Sequence, residues 1–390
     1  MPQNNHRLLI FLTALIFTSC IRYFDPEIKS KDLNKIVVSG LVTDNGGDQV
    51  VSISSSIPLN EYKERPVSGC SVIISDNKGN QFPMDDSADG SYHVNIGKQY
   101  LTAGSSFMVE IVTPGGDKIV SDFDFFSTCP KVDSVYYLRE DLPTIDTNNV
   151  VNGIQFYVDL DADNTYSRFY RWEAIETWEY HAEYPREWYY VGGYRPVHIS
   201  PPDFSLMICW RTFFTKSIYI LSTKDLAENK YQLQPLNFVD NTTSRLLYGY
   251  SLLVNQYSLS ETAYTFWNQL RTNSTANGGL YEKQPLATKG NLHNLTHPDQ
   301  DVLGFFGVSS VTSKRIFVRN VENLEMEYLS SCTPSDLSPY GLRDLNPMDY
   351  PVYLMGDVNG WVPIVLDHEC VDCRTLGGKT QKPDFWPWLK

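Results

Sequence analysis

His368-Glu369-Cys370-Val371-Asp372-Cys373 sets two thiols three residues apart, beside an imidazole and two carboxylates. These residue types at this spacing serve three chemistries. With Cys370 and Cys373 as thiolates and His368 as imidazole, three zinc ligands are present, and Cys332 or Glu369 would have to supply a fourth. A redox pair needs a helix starting at the motif within a βαβ frame, whereas the chain continues Arg-Thr-Leu-Gly-Gly, which reads as a turn. Halves of disulfides need an oxidising compartment and thiol partners elsewhere. Two further groups carry reactive types. His293 and His297 stand four apart beside Asp299 and Asp301, but Asn291, Asn294 and Pro298 make this a loop rather than one helix face. Glu173, Glu176 and Glu179 offer carboxylate pairs of the kind a glycosidase uses, which are held ~5–9 Å apart. In so acidic a chain such pairs arise without function. A Gly-rich phosphate loop, a nucleophile elbow and a zinc-protease helix are all missing from the sequence.

The compartment is read at the other end of the chain. Arg7, the apolar run from Leu8 to Phe17, and Thr18-Ser19 before Cys20 have the layout of a secretory signal. The run is shorter than the ~20 residues that span a bilayer. A cysteine directly after small residues predicts that Cys20 becomes the lipidated first residue of the mature protein. Residues 1–19 carry one formal charge, Arg7, so their removal takes the net charge from −14 to −15. Such a balance argues against nucleic acid as partner. With Cys20 set aside, six cysteines remain: Cys70, Cys129, Cys209, Cys332, Cys370 and Cys373. An even number in an exported chain favours disulfides over zinc or redox use. Cys370 and Cys373 are expected to reach back to Cys209 and Cys332, clipping the C-terminal tail in place.

Residues 20–35 are polar and charged and read as a tether. KIVVSGLVTDNGGDQVVSISSS then shows two alternating runs around an Asn-Gly-Gly turn, a hairpin signal. Further short runs follow at ~8–12-residue intervals without helical periodicity, which predicts a β-sandwich over 36–128. From 129 to 390 the chain reads as a larger β-rich domain with a few helices. In SRFYRWEAIETWEYH, Phe169, Arg171, Glu173 and Ile175 alternate with Tyr170, Trp172, Ala174 and Glu176, an aromatic side and a charged side. Ser258 and Glu261 have capping-box spacing and predict a helix with Ala263, Trp267 and Leu270 on one face. The fold class is therefore mainly β.

Several stretches together resemble a family of Bacteroidota lipoproteins known as domain of unknown function 4249. They are FDPEI, IVVSGLVTD, PVSGCSVIISDNKGN, VDSVYY, YRWEAIETWEY, YSLLVNQYSLSETAYTFWNQL, the run from GGLYEKQP to DVLGFFGVSSV, and CVDCRTLGGKTQKPDFW. The first domain looks like the immunoglobulin-like sandwiches of carboxypeptidase regulatory regions and of the start of many TonB-dependent receptors. The resemblance implies an outer-membrane, lipid-anchored protein acting beside a TonB-dependent receptor as an accessory or ligand-capturing partner. It leaves the membrane face open and carries no catalytic residue, cofactor or metal. A structural or envelope-assembly lipoprotein is the alternative, and a surface hydrolase the remote one. Cys70 stands where the family is expected to hold a small apolar residue, which suggests a Cys70–Cys129 bridge particular to this chain. Asp86-Ser87-Ala88 fits the short O-glycosylation pattern of exported proteins of that group.

Overall fold

The computed structural model describes residues 35–57, 65–143, 150–275, 288–330, 332, 335–336, 341–355 and 364–388. The signal segment 1–19, Cys20 and the tether up to 34 lie outside them. The chain is mainly β. Ile36–Thr43 and Gly47–Ser55 form the expected hairpin in the register Val38↔Ile53, and Val38, Val42, Val51 and Ile53 face inward. Gly46 and Gly47 make the turn with φ of 74° and 82°, backbone that glycine adopts without a Cβ clash. Ser91–Ile96 extends this sheet. A second sheet, built on Ser71–Asp76, Ser106–Val112 and Lys118–Ser121, closes over it. Tyr92, Phe107, Ile111 and Ile119 fill the space between the two.

Residues well beyond 36–128 complete both sheets. Leu303–Ser309 pairs with Ile36–Thr43 in parallel, Val38 opposite Gly304, and Leu292–Asn294 adds to Lys118–Ser121. Leu292, Val302, Phe306 and Val308 belong to the same core as Val38 and Ile53. The Asn291 side chain accepts from Phe306 N at 3.0 Å and donates to Phe306 O at 2.8 Å, tying the two added strands together. The backbones approach so closely that a Cβ on Gly304, itself at φ 98°, would collide with the carbonyl of Val38. Asp124, 4% exposed, accepts from Val308 N at 2.9 Å and fastens the added strand from the opposite side.

The second sandwich sets the sheet of Ser134–Pro143, Val150–Ala162 and Asn229–Asp240 against that of Phe169–His181, Ile208–Phe214, Tyr219–Ser222, Gly249–Ser258 and Val311–Val318. As the alternation predicts, Tyr170, Trp172, Ala174 and Glu176 point into this core. Trp172 donates its indole N–H to Gln256, which donates in turn to Pro130 O at 2.9 Å. The helix Glu261–Thr275 follows with Ala263, Phe266, Trp267 and Leu270 inward. Its cap is not Ser258. Ser260 accepts from Ala263 N at 3.1 Å, while Ser258 ends its strand and donates to Ser127 O. A small outer sheet of Arg186–Tyr190, Val197–Asp203, Val352–Met355, Ile364–Leu366 and Ser335–Asp336 lies beyond. Among the described residues no helix is long and apolar enough to cross a membrane.

Candidate functional site

Cys370 and Cys373 form disulfides, each with a separate partner. Cys209 bonds Cys373 and Cys332 bonds Cys370, with Cα separations of 5.7 and 5.2 Å. The short helix His368–Val371 and the 3-10 turn Cys373–Leu376 present the two sulfurs in different directions, so the pair is neither a mutual redox couple nor a zinc claw. Beyond the clip, Lys379 pairs with Trp210 across the sheet edge. Trp386 is buried and donates to Glu179 Oε2 at 3.1 Å. Phe385 stays half-exposed beneath Arg315, whose Cζ is 3.6 Å from the ring centroid.

The Cys70–Cys129 bridge does not form. Cys70 is buried inside the first sandwich, its backbone N–H donating to the Tyr92 hydroxyl. Cys129 lies at the start of the second region and donates to Gln256 O at 3.3 Å. The two have different neighbours, Tyr92 for Cys70 and Gln256 and Thr312 for Cys129, and burial raises both thiols above the ordinary cysteine value. Ser87 is exposed on a turn between Asp86 and Ala88, where a modifying enzyme can reach it.

The histidines and carboxylates do not converge. His293 contacts Asp122 at 3.1 Å and His297 contacts Asp117 at 2.6 Å, separate pairs that staple the added strand to the first sandwich. Along the strand Phe169–His181, Glu173 and Glu176 are an odd number of positions apart, as are Glu176 and Glu179, so each pair points to opposite faces. Glu176, 2% exposed, is saturated by Asn237 Nδ2 at 2.7 Å and Arg245 Nη1 at 3.2 Å. Arg245 also reaches Asp240 at 3.1 Å. The trio is a structural anchor for the segment after Asn229–Asp240.

The feature with the geometry of a binding site was not singled out by motif. The outer face of the parallel pair Ile36–Thr43/Leu303–Ser309 and the inner face of the helix Glu261–Thr275 enclose a groove of about 700 Å³. Its walls include Val37, Leu41, Phe266, Leu270 and Phe305, nearly all apolar. One cation lines it. Arg171 lies opposite Tyr257 in the sheet register, and its guanidinium is stacked between two rings, 4.6 Å from the Tyr257 centroid and 4.4 Å from that of Trp267. Burial draws its pKa below the usual arginine value, opposed by the nearby Tyr257 and Glu173. Glu173 itself accepts from Tyr257 Oη at 3.1 Å and Asn255 Nδ2 at 3.0 Å. Burial and then Glu173 push the Tyr257 phenol up to about 12, so it keeps its proton and remains a donor. Strand alternation did place Arg171 on the non-aromatic side. That this side is roofed by a helix is a tertiary fact without a local signal.

A family model described as Domain of unknown function (DUF4249) matches residues 21–315. No curated protein matches the chain. Among solved structures the chain is similar to trypsin-activated alpha-2-macroglobulin from Escherichia coli, at 9% identity and a TM-score of 0.20. That similarity covers 61% of this chain and spans 15% of the other.

Proposed function

This chain belongs to the DUF4249 family, a domain of unknown function, and from that premise we propose that it is a lipid-anchored, ligand-capturing protein of the outer membrane that works beside a TonB-dependent receptor. The observation that carries the reading is the groove between the first sandwich and the helix. Its volume lies within the ~300–1,000 Å³ of small-molecule sites, and it is mainly apolar with one converging cation and a few hydroxyls, the usual composition of such a site. Two disulfides fit a chain that folds in an oxidising compartment, in keeping with the signal-like start and Cys20. Glu173, Glu176 and Glu179 are each committed to structural partners, which favours binding over hydrolysis. The test is affinity purification of the intact chain from solubilised outer membrane, with the co-purifying protein identified. A TonB-dependent receptor in comparable amount supports the proposal. A secretion or assembly component in its place selects the structural reading.

A further inference from the structure

We propose that the groove takes an amphipathic organic anion, an unbranched apolar body ending in a single carboxylate, with the carboxylate read by Arg171. The inference rests on the ligand-capture reading above and names the chemistry of what is captured.

The first support is an unfilled requirement. Among the described residues, the Arg171 guanidinium donates to no hydrogen-bond acceptor and has no carboxylate within ion-pair distance; its contacts are the faces of Tyr257 and Trp267. A guanidinium carries five N–H donors in a planar fork. Stacking satisfies its faces and leaves the edge, where a carboxylate docks with two parallel hydrogen bonds. Arg171 is half-buried, and the edge of its guanidinium stays open to whatever enters the groove. Glu173 on the same face favours the charged guanidinium through space, but it accepts its hydrogen bonds from Asn255 and Tyr257 and forms no ion pair with Arg171.

The second support is the shape and composition of what lies beyond the cation. Val37 and Leu41 on one strand, Leu303 and Phe305 on its parallel neighbour, and Phe266 and Leu270 on the helix form a mainly apolar trough, interrupted by Ser39, Thr288 and Ser309. Gly307 lies in its floor. A Cβ there would sit 3.4 Å from Phe305 Cε1 and 3.5 Å from Leu41 Cδ1, ordinary contact, so the glycine leaves open a space that a side chain would occupy. An apolar trough with one cation discriminates by charge sign at the head and by length along the body.

The experiment uses the full mature chain carrying Cys20→Ser, so that no attached acyl chain competes, and titrates dodecanoate, dodecanol and dodecyltrimethylammonium below their micelle concentrations by calorimetry. Dodecanoate is expected to bind at one site. Each methylene removed should weaken it about fourfold. Arg171→Met, which keeps the stem between the rings, should weaken dodecanoate about 10–100-fold through loss of a charge-assisted fork, with dodecanol unaffected. Arg171→Lys should recover part of the loss. Gly307→Val should block all chain binding while leaving the unliganded thermal transition in place. Dodecanoate binding that Arg171→Met does not weaken overturns the proposal. So does dodecyltrimethylammonium bound as tightly as dodecanoate, although Gly307-sensitive binding of any of the three would leave the ligand-capture reading standing. If none of the three binds, the proposal falls, while the ligand-capture reading stands or falls on the co-purification above.

Discussion

Replacing Cys209 and Cys373 together by alanine is expected to cost more stability than replacing Cys332 and Cys370. The first bridge closes 164 residues and the second 38. Restricting the unfolded chain in this way is worth about 5 kcal/mol for the longer loop and about 4 kcal/mol for the shorter, a difference of about 1.3 kcal/mol. Alanine suits the test because Cys209, Cys370 and Cys373 are fully buried and a hydroxyl there would add a desolvation cost of its own. The longer bridge also joins the tail to the strand Ile208–Phe214, and its loss should loosen the segment from Lys379 to Trp388 before the core opens. Equilibrium urea unfolding, followed by tryptophan emission and by far-ultraviolet circular dichroism, measures the first effect. Trypsin cleavage after Lys379 under native conditions measures the second. An unchanged midpoint in the Cys209/Cys373 variant, or a larger loss in the Cys332/Cys370 variant, would refute the reasoning from loop length.

Asp124→Ala should destabilise by about 1–3 kcal/mol, because the buried N–H of Val308 loses its acceptor, whereas Asp124→Asn should keep most of that bond. Burial raises the Asp124 pKa above 3.8, so its contribution is full below that value and is lost as pH rises through the folded pKa; Asp124→Asn should flatten this fall in a series of thermal melts. Arg245→Met should cost about 3 kcal/mol or more in urea unfolding by leaving Glu176 buried beside a neutral stem, and a loss below 1 kcal/mol would show that Asn237 alone suffices. An isolated fragment 36–128 should lack a cooperative thermal transition, since the open edge of Ile36–Thr43 and the missing Leu292, Phe306 and Val308 leave its core incomplete; a sharp transition would contradict this. Cys20→Ser should abolish fatty-acid labelling and release the protein from the membrane fraction, and retention at wild-type levels would remove the lipid anchor from the account.

What the sequence discloses and what it withholds divide along sequence separation. The hairpin around Gly46 and Gly47 is legible because alternation and turn chemistry act within some twenty residues, and its strands form with Val38, Val42, Val51 and Ile53 buried. The helix is legible from Ala263, Trp267 and Leu270, yet its cap moves by two residues: the Ser258 hydroxyl is spent on Ser127, leaving Ser260 to cap. Alternation also puts Glu176 on the aromatic side of its strand, and it is buried there, but its partners come from a distant strand, Asn237, and the 3-10 turn after it, Arg245. The cysteines split the same way. The tail pairs are expected from a signal-like start and an even cysteine count, whereas Cys70 sits against Tyr92 and Cys129 against Gln256, an arrangement no spacing reveals. Arg171 is the clearest case. Its strand side is readable, but its roof depends on a helix some ninety residues later and on strands from both ends of the chain.

The parallel pairing of Ile36–Thr43 with Leu303–Ser309 also orders events in time. A chain is made, and delivered through any channel, from its first residue onward. Its opening strand therefore waits, unpaired on one side, until residue 309 has emerged. Over that interval the first sandwich presents a bare parallel edge and an unfilled core, the conditions under which chains associate wrongly. Completion is a late, non-local step, slow by the same loop-closure cost that governs other folds rich in distant contacts. The groove, whose floor is this pairing, comes into being only then. A chain that stops short of residue 309 lacks this floor and therefore lacks the groove.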